Sequence, residues 1–207
     1  MGEILVDPWT VDDWILNVHI NAVQHGWWET DREMPELLAL VISEWAEALE
    51  EYRKGEGHIH YYAKRPVCDE CTEDRAESET ECRHLPCATG KPEGMVVELA
   101  DGVIRLLDIM GRIGVRGDDD YTLEEMAVAS GAQNVVIDFP ERIQMLNVMT
   151  SGIGLQDSQE EDVELMLETA SYALMCIALL GEDPEMIMLE KHLYNVGRPY
   201  RHGGKVI

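Results

Sequence analysis

The chain has 207 residues, 45% of them apolar, and a formal net charge of −25, because 41 Asp and Glu residues outnumber 16 Lys and Arg residues. A surface this acidic repels nucleic-acid backbones and anionic membranes, which excludes an extended nucleic-acid-binding or membrane-binding face. The N-terminal residues lack the basic and apolar regions of a signal peptide, and no apolar run approaches the roughly 20 residues of a membrane helix. We therefore expect a cytoplasmic protein.

Helical spacing of apolar residues dominates the sequence, and no stretch of useful length alternates as a strand does. Gly55 and Gly57 are expected to end the second helix. The pattern predicts an all-α protein with one domain over residues 1–207. The predicted helices cover residues 11–25, residues 34–54, the stretch after Pro92 up to a break between Gly111 and Gly117, two short segments within 118–158, residues 159–180, and the stretch that begins at Pro184.

The second predicted helix carries two carboxylates on one face. Glu44 and Glu47 are three residues apart, so their side chains lie about one turn apart along the helix. On a helical wheel Glu44 falls at the edge of the apolar stripe, where an unpaired carboxylate would be costly to bury. Glu44 and Glu47 are therefore candidate metal ligands, although glutamates often simply solvate a helix. Glu51 is a candidate supporting ligand, and Glu50 lies on the solvated side.

A second pair of carboxylates, Glu98 and Asp101, has the same spacing on a later helix. By itself this pair reads as a solvated face, because Arg105 and Asp108 continue the polar stripe opposite the apolar residues. The two pairs together favour a site, since two helices that each offer carboxylates at i and i+3 can converge. Hard oxygen ligands of this kind suit Mg²⁺ or Mn²⁺.

The C-terminal segment is basic in an otherwise acidic chain. Lys191 and Asn195 share one face of the last predicted helix, and Arg198 follows where that helix ends. The helix dipole favours cations at the C-terminal end of a helix, which is sufficient to explain why Lys191 and Arg198 are there. The same three side chains are also donors for phosphate oxygens.

In their order along the chain, these elements resemble the MazG-like all-α nucleoside triphosphate pyrophosphohydrolases of bacteria and phages. The resemblance rests on an E-x-x-E pair, a later E-x-x-D pair, a K-x-x-x-N-x-x-R segment running into R-P-Y-R-H-G-G-K, and a first helix containing N-A-V-Q-H-G-W-W. It implies a helical bundle assembled as a homodimer or homotetramer. It also implies Mg²⁺- or Mn²⁺-dependent hydrolysis of a nucleoside or deoxynucleoside triphosphate to the monophosphate and pyrophosphate, which would control nucleotide pools in a bacterial or phage-infected cytoplasm.

The resemblance further implies a role for each matching residue. Glu44, Glu47, Glu98 and Asp101 would hold Mg²⁺, and the catalytic residues would be Glu47 and Glu44, with Glu47 orienting or deprotonating the attacking water. Core packing explains the Trp27–Trp28 pair at least as well as ligand binding does. The implied substrate-binding residues are Lys191, Asn195 and Arg198 for the phosphates and Asn21, His19 and Trp28 for the sugar or base.

Two stretches exceed the compact pattern of that family, residues 58–92 and residues 118–158. The first holds four of the five cysteines and few apolar residues. Clustered thiols in a cytosolic protein favour a structural Zn²⁺ site over disulfides, and a reduced, disordered segment is the alternative. The second is an insertion of uncertain structure. Four of five residues would bind the zinc ion: Cys68, Cys71, Cys82, His84 and Cys87.

A different class of function also fits the sequence. The chain could be a non-catalytic helical scaffold that contacts a partner through its Cys-rich zinc insertion. The size of the two insertions favours this alternative, because hydrolysis does not need them. The acids at the edge of an apolar stripe argue against it, because a scaffold has no reason to keep them there.

Overall fold

The computed structural model describes residues 9–55, 57–62, 91–116, 121–129 and 138–200. Helices dominate these residues, which confirms the all-α class, and one two-stranded antiparallel ribbon accompanies them. The elements are α1 (Val11–Gln24), α2 (Met34–Lys54), β1 (His60–Tyr62), β2 (Lys91–Glu93), α3 (Met95–Arg112), α4 (Leu123–Ala129), α5 (Phe139–Gly152), α6 (Gln159–Leu179) and α7 (Pro184–Val196).

The central helix is α3, which contacts α1, α2, α6 and α7. Most of its length is buried, and Val103, Leu106, Leu107 and Met110 are fully enclosed. A helix that is apolar on most sides is one that other helices surround. The polar residues of α3 therefore face neighbouring helices as well as solvent.

Two glycines allow neighbouring helices to approach α3 closely. A Cβ atom on Gly102 would lie 2.2 Å from the ring of Trp45 in α2, and one on Gly111 would lie 2.5 Å from Cβ of His19 in α1. The prediction that this helix breaks between Gly111 and Gly117 is confirmed, since α3 ends at Arg112. Close packing against α1 is the physical reason for a glycine at position 111.

Residues within 118–158 contribute two helices to the common core. In that stretch α5 packs against α2 and α6, and α4 packs against α6 and α7. Trp45 Nε1 of α2 donates to Thr150 Oγ1 of α5 at 2.9 Å, and both residues are fully buried. Because one hydrophobic core spans all of these helices, α4 and α5 are integral parts of the bundle.

The last two helices begin as their sequences predict. Ser158 caps α6 by accepting from the Glu161 amide, and Asp183 caps α7 with Pro184 in the first turn. Within the described part of the chain, no single helix is long and apolar enough to cross a membrane. Only α6 and α7 taken together reach that length and composition, and they are bent by 108° relative to each other.

The ribbon of β1 and β2 lies where the chain enters and leaves residues 63–90. His60 is opposite Glu93 and Tyr62 is opposite Lys91 in the antiparallel register. Strands of three residues are too short to show a period-two pattern, so the sequence does not predict them.

Candidate active site

Three carboxylates from two helices meet between α2 and α3, and we call them the acid cluster. Glu44 and Glu47 of α2 and Glu98 of α3 each offer one oxygen atom, and these oxygens lie within 4.8 Å of one another. Glu44 and Glu98 are buried, with exposed fractions of 5% and 6%, whereas Glu47 is exposed. Oxygen atoms grouped in this way fit a hard divalent cation such as Mg²⁺ or Mn²⁺.

The negative charge of Asp101 helps to raise the pKa values of Glu44 and Glu98 in the acid cluster, and Asp101 itself forms an ion pair with a lysine. Lys191 Nζ of α7 lies 2.7 Å from Asp101 Oδ2, and the Lys191 side chain is only 3% exposed. Burial alone would lower the pKa of this ammonium group, but the carboxylates of Asp101 and Glu98 outweigh it, so the pKa of Lys191 is raised. The C-terminal helix therefore reaches the acids of its own chain.

Burial favours the protonated form of two acids in the cluster. It raises the pKa of Glu98 to about 8, and the neighbouring Asp101 carboxylate adds to this shift. Burial also raises the pKa of Glu44, against the opposing effect of Arg105, whose Nε donates to Glu44 Oε1 at 2.6 Å. Buried acids with shifted pKa values and close like charges are typical of functional sites. A further positive charge between them would stabilise their ionised forms.

The polar stripe on α3 is not the solvated face that its sequence suggests. Asp101, Arg105 and Asp108 are only partly exposed, and each faces a partner on another element. Arg105 and Asp108 are therefore site residues that were not predicted. Their spacing of four and seven residues from Asp101 places them on its side of the helix, and that spacing is the signal that could have identified them.

Asp108 lines two cavities. The larger of these two, which we call the larger cavity, has a volume of about 110 Å³ and lies between α1, α3 and the end of α7. Asn21 and Asn195 line it, and the Oδ1 atom of each is buried with no hydrogen-bond partner among the described residues. Buried polar atoms without partners are rare, so this pair indicates a position for a polar ligand or ordered water. The lining residues are Val18, Asn21, Ala22, His25, Trp27, Asp101, Ile104, Arg105, Asp108, Asn195 and Arg198.

His25 holds the end of α7 against α1 at the edge of the larger cavity. Its Nδ1 lies 2.8 Å from the carbonyl oxygen of Asn21, and its Nε2 lies 2.9 Å from the carbonyl oxygen of Arg198. Arg198 is partly buried there, and burial lowers the pKa of its guanidinium group. These contacts place a cation beside Asn21 and Asp101 in the cavity wall.

Asp108 is a half-buried carboxylate that two of the predicted substrate-binding residues hold in place. His19 Nδ1 lies 2.7 Å from Asp108 Oδ1, and Trp28 Nε1 donates to the same oxygen at 2.9 Å. Burial raises the pKa of Asp108, and these two hydrogen bonds oppose the shift. His19 lines neither described cavity beside α3, whereas Trp28 lines a second, smaller one of about 40 Å³.

Glu50 and Glu51, near the end of α2, lie outside the acid cluster. Glu51 is buried, its Oε1 accepts from Lys54 Nζ at 2.5 Å, and its Oε2 lies 3.7 Å from His60 Nε2 of β1. Glu50 is exposed and accepts from Arg53 at 3.0 Å, as expected for the solvated side.

The zinc prediction concerns residues whose placement the structure does not describe. The Cys-rich segment lies within residues 63–90, so the zinc site stays a prediction. The predicted ligands outside the described residues are Cys68, Cys71, Cys82, His84 and Cys87.

Comparison of the chain with protein-family models, with curated proteins and with solved structures found no match. The acid cluster and the cavities beside it are therefore the features that indicate a function.

Proposed function

We propose that the protein hydrolyses a nucleoside or deoxynucleoside triphosphate to the monophosphate and pyrophosphate in a reaction that depends on Mg²⁺ or Mn²⁺. The acid cluster carries this proposal, because three carboxylate oxygens within 4.8 Å of one another suit a divalent cation. Arg105 lies between this cluster and the larger cavity, and Arg198 lies in the cavity wall. Cation ligands next to guanidinium donors match the charge pattern of a polyphosphate. The proposal agrees with the resemblance to MazG-like pyrophosphohydrolases and includes their homodimeric or homotetrameric assembly.

In this mechanism Glu44, Glu47 and Glu98 hold the metal ion, with Asp101 beside them. Bound Mg²⁺ supplies positive charge that offsets the charge of the phosphate oxygens. Glu47 is the exposed member of the cluster, so its carboxylate takes a proton from the water that attacks the α-phosphorus. The bond from that phosphorus to the oxygen bridging the β-phosphate breaks, and pyrophosphate leaves.

The remaining residues bind and orient the substrate. Arg105 and Arg198 donate to phosphate oxygens, and Asn21 and Asn195 bind the nucleoside through the side-chain oxygens that have no described partner. Lys191 is too deeply buried to contact a substrate while it holds Asp101, so it positions and neutralises that carboxylate. This role differs from the phosphate contact that the family resemblance implies for it.

The substitution Glu47→Gln tests the proposal, with Glu50→Gln as its matched control. Both residues are exposed glutamates of α2, but only Glu47 belongs to the acid cluster. With a panel of ribo- and deoxynucleoside triphosphates and Mg²⁺, we expect the parent protein to release monophosphate and pyrophosphate. Glu47→Gln should lower kcat by about 100-fold or more, the usual contribution of a positioned base, and Glu50→Gln should leave it unchanged.

Circular dichroism and thermal unfolding of both variants check that the fold is intact. If the parent protein hydrolyses no nucleotide on the panel, the proposal is wrong and the non-catalytic scaffold becomes the better interpretation. If both variants retain the parent rate, the assignment of the acid cluster is wrong.

A further inference from the structure

Arg32, in the connection between α1 and α2, is a buried cation with an unsatisfied hydrogen-bond donor. Its side chain is 9% exposed, and its Nε is buried with no hydrogen-bond partner among the described residues. Glu36 Oε1 lies 3.6 Å from this Nε, which is outside hydrogen-bond distance, and the Glu36 side chain is 52% exposed. Glu36 thus forms an ion pair with Arg32 but leaves its buried Nε without a hydrogen bond, so the guanidinium group has a donor available for a second anion.

Arg32 lines the smaller cavity, which borders the proposed active site. The two cavities share three lining residues, Arg105, Asp108 and Trp27, so the cavities lie on either side of these residues. The guanidinium group of Arg105 also binds Glu44 of the acid cluster. One arginine therefore touches the cluster and forms part of both cavity walls. The smaller cavity is lined by Trp27, Trp28, Arg32, Leu37, Leu40, Arg105, Asp108 and Ile109.

The size of the smaller cavity limits what it can hold. Its volume of about 40 Å³ is little more than the share of one water molecule in the liquid, roughly 30 Å³. A nucleobase ring does not fit there, and a phosphoryl group can place only part of its oxygen shell inside. The larger cavity, with about 110 Å³ and two asparagine side chains, has room for part of a nucleoside.

The charge of the smaller cavity selects an oxyanion. Arg32 and Arg105 are the two cationic residues of the lining, and the Trp27 ring lies 6.0 Å from the guanidinium carbon of Arg32. The one carboxylate in the lining, Asp108, already accepts from His19 and Trp28. Two forked donors in a small space match the tetrahedral oxygens of a phosphoryl group.

We propose that Arg32 and Arg105 bind the terminal phosphoryl group of the triphosphate in the smaller cavity. This inference rests on the proposed function and assigns the distal end of the substrate to Arg32. The nucleoside then lies in the larger cavity and the α-phosphate lies at the acid cluster. Arg32 also binds the distal phosphoryl group of the pyrophosphate product before it leaves.

Isothermal titration calorimetry with Mg²⁺ present tests this assignment on the full chain. The ligands are inorganic pyrophosphate, a non-hydrolysable triphosphate and the matching nucleoside monophosphate, with Arg32→Gln and Arg32→Lys as variants. Arg112→Gln is the matched control, because Arg112 lies over the neighbouring Trp28 at 5.3 Å but is paired with Asp31 and 47% exposed.

We expect Arg32→Gln to weaken pyrophosphate and the triphosphate analogue by about ten-fold or more, the usual effect of losing a hydrogen bond to a charged group. Monophosphate binding should stay unchanged, because that ligand has no distal phosphoryl group. Arg32→Lys should weaken binding less, since lysine keeps the positive charge but not the paired N–H donors of the guanidinium group. Arg112→Gln should bind all three ligands as the parent does.

Equal weakening of all three ligands by Arg32→Gln would mean that Arg32 only supports the fold, and the assignment would be overturned. Failure of the parent chain to bind pyrophosphate would overturn it as well. Nucleotide hydrolysis by the parent chain is a separate readout for the proposed function. If the parent chain hydrolyses nucleotides but Arg32→Gln binds pyrophosphate as tightly as the parent does, this inference alone is refuted. A parent chain without hydrolysis refutes the proposed function.

Discussion

Lys191 Nζ lies 2.7 Å from Asp101 Oδ2, and this contact joins the last helix of the described chain to the central one. The lysine is nearly inaccessible to solvent, and its charge lies beside Glu98 and Glu44 as well as Asp101. The pair therefore combines two roles, because it fixes α7 against α3 and places a permanent cation next to the acid cluster.

Replacing Lys191 by Met should lower the free energy of unfolding by about 3 kcal/mol, because it leaves Asp101 without its cation in a poorly solvated position. Urea unfolding measures this loss. Asp101→Asn added to the same chain should recover part of it, since the unpaired charge is then gone. A double variant no more stable than Lys191→Met would show that the loss has another cause.

The raised pKa of Glu98 predicts how stability depends on pH in the absence of metal. The ordinary value is 4.5 and the folded value is about 8, so between these limits the folded state keeps a proton that the unfolded state releases. The free energy of unfolding therefore falls as the pH rises from 4.5 to 8, with an upper bound of about 5 kcal/mol. Unfolding measured in EDTA at several pH values should show this decline, and Glu98→Gln should reduce it. An equal decline in the variant would assign it to other groups.

Metal binding at neutral pH should release about one proton, because Glu98 is then mostly protonated and must ionise to serve as a ligand. Calorimetric titration with Mg²⁺ in two buffers of different ionisation enthalpy measures the number of protons released. The same binding enthalpy in both buffers would contradict either the protonated state of Glu98 or its role as a ligand. Glu98→Gln separates these outcomes, since losing a true ligand weakens the Mg²⁺ affinity itself.

Gly102→Ala should destabilise the fold by about 2 kcal/mol, because its Cβ would lie 2.2 Å from the Trp45 ring and force α2 away from α3. The separation of these helices sets the distance between Glu44 and Glu98, so Mg²⁺ affinity should fall as well. Gly152→Ala is the control, since its Cβ would meet only the ends of two flexible side chains, Leu165 Cδ2 at 3.1 Å and Gln156 Nε2 at 3.8 Å. Thermal unfolding and metal titration compare the two variants, and equal effects would exclude helix spacing as the cause.

Helical periodicity predicts most of this fold and part of its site. It places Glu44 at the border of the apolar stripe, and the 5% exposure of Glu44 confirms that interpretation. It misjudges the face that carries Asp101, Arg105 and Asp108, because periodicity shows which residues share a face but not which element covers it. Here the covering lysine comes from ninety positions further along the chain.

Two further features depend on contacts of the same kind. Gly111 lies in the last turn of α3, where α1 packs directly on it. Arg32 has no recognisable sequence signal, since its burial depends on how the connection after α1 folds back beside Trp27 and Trp28. Propensity and spacing are local quantities, and these contacts are not.

Because β1 and β2 run antiparallel with Tyr62 opposite Lys91, the residues on either side of the segment 63–90 are paired with each other. Paired residues across such a ribbon lie about 5 Å apart, a gap that a two-residue turn can close. A variant that joins Tyr62 to Lys91 through such a turn should therefore keep Glu44, Glu47 and Glu98 in place, since all three lie on helices outside the ribbon.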